Sequence, residues 1–124
     1  MTGVASAEAP CLLFVYGSLK RGQANHSELA GARFIATART APNFALRELA
    51  GYPALVPGER AIEGELFQIS QSRLRALDEF EGDAYERRQI PIEDGSLVIA
   101  YLARRPEAGS PSALDSWPAP TTER

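Results

Sequence analysis

Four acids crowd one short segment of this chain: Asp78, Glu79, Glu81 and Asp83. Three of them read as a solvated acidic face. Glu81 differs by position. At about 100° per residue in a helix, Leu77 and Glu81 fall on one face, with Leu74 beside them, and Glu79 falls nearly opposite. Glu81 should therefore point where the core leucines point, from the negative end of the helix dipole. Partial desolvation and that dipole both disfavour the carboxylate and raise its pKa. A raised carboxyl is what a general acid/base near neutrality needs.

A second stretch supplies a different chemistry. Leu12 to Tyr16 is an apolar run that breaks at Gly17 into a small polar turn ending at Gly22. Such a run reads as a buried strand entering a loop. Backbone N–H groups of Tyr16, Gly17, Ser18 and Leu19 would be free there, forming a nest for an anion or a developing oxyanion. Gly17 is expected to need an unusual backbone angle or a close approach to ligand. The Gly17 to Gly22 spacing imitates half of a phosphate-binding loop, but Gln23 and Ala24 stand where Lys and Ser or Thr are required, so nucleotide hydrolysis is not supported. Ser18 has no visible base partner, which leaves a Ser-His-Asp arrangement weak. His26 reads as structural, Lys20 and Arg21 as solvated loop charges, and Asn25 as a helix cap. Tyr85 reads equally as a core aromatic or as a pocket wall donating to substrate.

The elements that would position these groups follow from periodicity. Strands are expected at Leu12–Tyr16, Phe34–Thr40, Asn43–Leu49, Ala54–Val56, Ala61–Ile69, Arg87–Ile92 and Leu97–Leu102. In the second, Phe34, Ala36 and Ala38 should share one face. Gly51-Tyr52-Pro53 reads as a turn, and Asp94-Gly95 as a hairpin turn. Asn25 or Ser27 should cap a short helical turn ending near Gly31. Gly64, inside a strand, suggests a bulge or a close backbone approach. Ser70 fits an N-cap, with Ile69 and Leu74 as a staple across it, for a helix over Gln71–Glu81 that stops at Gly82. Several short strands and one clear helix make an α+β domain with a strongly bent or closed sheet.

At 124 residues this is one small domain. Residues 1–10 read as a flexible leader, 11–104 as the domain, and 105–124 as a flexible or surface-docked tail carrying Trp117. The net charge of −3, with both signs interspersed, argues against a nucleic-acid platform. One cysteine, Cys11, and one histidine preclude an internal disulfide and make a metal site unexpected. Cys11 reads as a buried, inert thiol. No secretory signal is visible and no stretch reaches transmembrane length, so no membrane role is expected and the cytoplasm is the default compartment.

Tyr16-Gly17-Ser18-Leu19-Lys20-Arg21-Gly22-Gln23, then Asn25-His26, after an apolar strand resembles the signature of the gamma-glutamylcyclotransferase-like superfamily. The likeness is strongest to its gamma-glutamylamine cyclotransferases and their small bacterial relatives. Glu63-Gly64-Glu65-Leu66-Phe67 resembles the second strand signature. Leu77-Asp78-Glu79-Phe80-Glu81-Gly82, with Tyr85 and Arg87, resembles the catalytic-acid segment. The resemblance covers residues 12–103 for the most part. It implies a small mixed β-barrel with flanking helices and a pocket at one end, and it aligns Glu81 with the family's catalytic glutamate. It further implies a small-molecule γ-glutamyl amide as substrate, attacked by its own α-amine to give 5-oxoproline and a free amine, with no cofactor. The alternatives are a domain that binds a γ-glutamyl or amino-acid ligand without turnover, and an interaction domain with a vestigial pocket. Release of 5-oxoproline separates these.

Overall fold

The computed structural model describes residues 9–112 and 114–118. Its strands are β1 (Cys11–Val15), β2 (Arg33–Arg39), β3 (Phe44–Leu49), β4 (Tyr52–Pro57), β5 (Glu63–Ile69), β6 (Tyr85–Pro91), β7 (Leu97–Ala103) and β8 (Ser110–Ser112). Helix α1 (Gln71–Glu81) joins β5 to β6, and short 3₁₀ turns lie at His26–Leu29 and Gly82–Ala84. The strands form one mixed sheet in the order β2-β5-β1-β7-β4-β3-β8, with β6 on β7. The sheet curls into a half-barrel, giving the expected α+β class with a single α-helix among the described residues.

β1 explains the unbroken apolar run. Phe14 and Tyr16 face the barrel interior with Leu46, Leu55 and Ile62, whereas Leu13 and Val15 face the layer holding Leu74 and Leu77 of α1. A strand covered on both faces has no polar side. Gly64 of β5 is where the next strand comes closest: a Cβ there would lie 2.4 Å from the Val15 carbonyl oxygen and 2.6 Å from the Phe14 ring. The close approach read from the sequence is present. The bulge sits opposite, on β2. The β2–β5 register shifts between Phe34 and Ala36, leaving Ile35 as the extra residue. Phe34 therefore packs with the helix-side layer and Ala38 with the barrel interior, so the expected common face does not form.

Other expectations also shift. The turn before β4 lies at Ala50-Gly51 (φ 54° and 86°), and Tyr52 and Pro53 belong to the strand, with Leu49 opposite Tyr52. Two left-handed residues match the twist of a tight hairpin. Nothing in the Pro- and Ser-rich segment after Arg105 announces a strand, yet Ser110–Ser112 pair with Leu46–Glu48 of β3. Trp117 then packs against the barrel cluster and Tyr52, their ring centroids 6.5 Å apart. The leader expected over residues 1–10 lies, except for the exposed Ala9 and Pro10, outside the described residues. Cys11 is half-buried, less enclosed than expected.

α1 is fixed at both ends. Ser70 Oγ accepts from the Arg73 N–H at 3.1 Å, and Gly82 at φ 75° stops the helix. Its middle is braced through Asp78, which accepts from the Tyr101 hydroxyl at 2.6 Å and from Arg87 Nε at 2.8 Å and Nη2 at 2.9 Å. Asp78 is thus a tie between α1 and strands β6 and β7, not simply part of a solvated face.

The feature that makes room for a site is a fork. β6 pairs with β7 along its whole length. β1 and β4 each meet β7 at a single bridge, Leu13↔Ile99 and Leu55↔Leu102, and diverge. Divergence strands backbone groups that a ladder would pair. The Tyr16 hydroxyl takes two of them, donating to the Tyr101 carbonyl at 2.6 Å and accepting from the Leu55 N–H at 3.0 Å. Tyr16→Phe should leave both buried and unsatisfied and lower stability by about 2 kcal/mol, read as a lower denaturation midpoint at unchanged slope.

Candidate active site

Between the diverging ends of β1 and β4 lies a cavity of about 360 Å³. Tyr16, Gly17, Ser18 and Leu19 form one wall, and Glu81 and Tyr85 another. All six residues singled out from sequence as site candidates therefore line one space.

Glu81 occupies the last turn of α1 and is half-buried. Its carboxylate has no hydrogen-bond partner among the described residues. Burial alone pushes its pKa from 4.5 to about 7. Glu79, two residues earlier, is exposed. The charge of Glu81 is felt by two tyrosines across the cavity. Burial pushes the Tyr85 hydroxyl up to about 12, and the Glu81 carboxylate adds to the rise. Tyr16 is raised by burial, lowered in part by the Leu55 N–H, and raised further by Tyr85 and Glu81. Both hydroxyls stay protonated at physiological pH. Tyr85 donates to the Pro53 carbonyl at 3.1 Å, which fixes its ring against β4.

The opposite wall is held by its own loop. The N–H groups of Gly17, Ser18 and Leu19 meet no acceptor among the described residues. The loop folds back so that Asn25 N–H donates to the Ser18 carbonyl at 2.9 Å, and Asn25 Nδ2 donates to Ser18 Oγ at 2.8 Å. Asn25 precedes a 3₁₀ turn but makes no side-chain cap. Its side chain pins Ser18 instead and reaches the cavity. His26 Nδ1 lies 2.9 Å from the Leu19 carbonyl and its ring packs at a tilt against Phe67, centroids 5.6 Å apart, a structural placement. Arg21 is not a free loop charge: its N–H and Nε reach Glu65, and its guanidinium lies 3.6 Å over the Phe34 ring. Gly17 has no left-handed φ. A Cβ there would lie 2.6 Å from Pro53 Cγ, so the glycine is required by β4 and not by backbone angle.

Residues 13–119 match the family described as gamma-glutamyl cyclotransferase, AIG2-like. The chain belongs to this family. Its curated relatives include the gamma-glutamylcyclotransferase family protein YtfP of Escherichia coli K12, 33% identical over 99 residues, covering 78% of this chain and 86% of that protein. Gamma-glutamylaminecyclotransferase A of Danio rerio is 37% identical over 93 residues, covering 65% of this chain and 58% of the fish protein. Among solved structures, the AIG2-like protein of Mus musculus superposes with a TM-score of 0.75 at 27% identity, over 88% of each chain.

In this AIG2-like chain, several cavity residues escaped the sequence reading. Phe80 and Tyr52 line the cavity from exposed positions, and Phe14, Pro53 and Tyr101 from buried ones. Phe80 adjoins Glu81, which was the available signal. Tyr101 sits inside an apolar strand and carries no local sign of facing a cavity. No group of three or more potential metal ligands occurs among the described residues, and no helix among them is long and apolar enough to cross a membrane.

Proposed function

We propose that this AIG2-like family member cleaves a small γ-glutamyl amide by attack of the substrate's own α-amine on its γ-carbonyl, releasing 5-oxoproline and a free amine. The observation that carries the reading is one half-buried carboxyl, poised near neutrality, sharing a cavity with three unpaired backbone N–H groups. The substrate brings its own nucleophile, so none is needed from the protein. The cavity holds the glutamyl chain curled, a proximity effect. The N–H groups of Gly17 to Leu19 grip either the substrate carboxylate or the oxyanion. Glu81 moves protons. The α-ammonium starts with three hydrogens; one remains on the lactam nitrogen and two end on the leaving amine, which departs as an ammonium ion. Glu81 accepts each from the attacking nitrogen and delivers it to the leaving one as the C–N bond of the ring forms and the amide bond breaks.

A working pKa near 7 has a consequence. Glu81 must be ionised to accept the first proton, so kcat/KM should rise tenfold per pH unit below about pH 7 and level above it. The experiment is 5-oxoproline release from a γ-glutamyl amide between pH 5 and 9. A flat profile, or no release from any γ-glutamyl amide, overturns the reading.

A further inference from the structure

We infer that the leaving amine carries an uncharged aromatic or apolar group, held by Tyr52 and Phe80 on the exposed side of the cavity and selected there. The inference rests on the proposed reaction, because it names the other half of that substrate. Tyr52 is 46% and Phe80 42% exposed, and both line the cavity together with the buried Phe14 and Tyr16. With the glutamyl end at the loop, whatever the γ-nitrogen carries extends toward the exposed side of the cavity, where Tyr52 and Phe80 are the large exposed side chains. Single exposed apolar side chains are ordinary. Two exposed rings from separate elements, β4 and α1, lining one cavity are not.

Charge points the same way. Among the described residues lining the cavity, Glu81 is the one acidic or basic side chain. No lysine or arginine lines it to meet a carboxylate on the leaving group. Behind Tyr85 and Tyr101, Arg87 is engaged by Asp78, and Arg104 by the Asp83 and Tyr85 carbonyls and Glu86. No second carboxylate lines it to meet an ammonium. Trp117 packs on Tyr52 from outside the cavity, which makes it a positioning residue for that ring.

Four amides test this: γ-glutamyl benzylamide, γ-glutamyl methylamide, ε-(γ-glutamyl)lysine and γ-glutamylglycine. Calorimetry on Glu81→Gln reads affinity without turnover. The benzylamide should bind about tenfold or more tighter than the lysine and glycine compounds, the order expected for a ring packed on rings. Tyr52→Ala or Phe80→Ala, each added to that background, should erase most of the advantage while methylamide affinity holds. Trp117→Ala should weaken benzylamide by a few-fold and spare methylamide. Equal or tighter binding of the charged compounds overturns the inference, as does an equal loss for methylamide in the ring variants. The proposed reaction is judged separately, by 5-oxoproline release from any of the four by the unaltered protein.

Discussion

Glu81→Gln should lower 5-oxoproline release by about two to four orders of magnitude, the span usual for loss of a positioned acid/base. Glutamine keeps the shape and hydrogen-bonding capacity of the side chain and cannot carry a proton between two nitrogens. Glu79→Gln makes the same charge change two residues away on an exposed position and should leave turnover within about twofold. Folding should respond in the opposite direction. The Glu81 carboxyl is raised in the folded protein, so its contribution is full below pH 4.5 and is lost as pH rises through about 7. The rise corresponds to about 3 kcal/mol against ionisation, trimmed to roughly 2 by solvent at the cavity mouth. Glu81→Gln should therefore be more stable than the parent at pH 8 by about that amount, and no different at pH 4. Turnover near that of the parent would remove Glu81 from the mechanism, and equal loss in both variants would indicate a general charge effect.

Gly17→Val should abolish binding of a γ-glutamyl ligand. Its Cβ would enter the Pro53 ring, and Pro53 is held in β4 by the pairing with Glu48. The loop must then move away from the strand, carrying the N–H groups of Gly17, Ser18 and Leu19 with it. Overpacking of this kind costs about 1–3 kcal/mol, so melting should fall as well. Gly17→Ala with Pro53→Ala separates the two effects, since the atoms at 2.6 and 3.4 Å are both ring atoms absent from alanine. Recovery of affinity in the double variant identifies the clash as the cause. Undiminished affinity in Gly17→Val would remove the loop from the account.

How much of this was legible depended on how local the cause was. The bounds of α1 could be read because Ser70 and Gly82 act within a turn of themselves, and the direction of Glu81 followed from Leu74 and Leu77 on the same helix. The loop at Gly17 could be located, but not the reason for its glycine, because Pro53 approaches from a strand thirty-six positions away in sequence. The same limit hid the bulge at Ile35, which depends on the register against β5. It hid β8, whose residues have no strand composition and pair only because β3 offers a free edge. Asp78 read as a surface acid because Tyr101 and Arg87 reach it from other strands.

The fork at β7 also dictates an order of events. The two hairpins, β3 with β4 and β6 with β7, join residues close in sequence and can form early. β1 cannot complete its place until β7, more than eighty residues later, has been made and has turned to meet it at Leu13↔Ile99. Closing so long a loop is entropically costly before any contact rewards it. The fork between β1 and β4, and with it the cavity, is then among the last parts to assemble. A partly refolded chain would hold both hairpins, α1 and the β1–β5 pairing while lacking a site, with the β7-facing edge of the apolar segment Leu12 to Tyr16 still open to wrong partners.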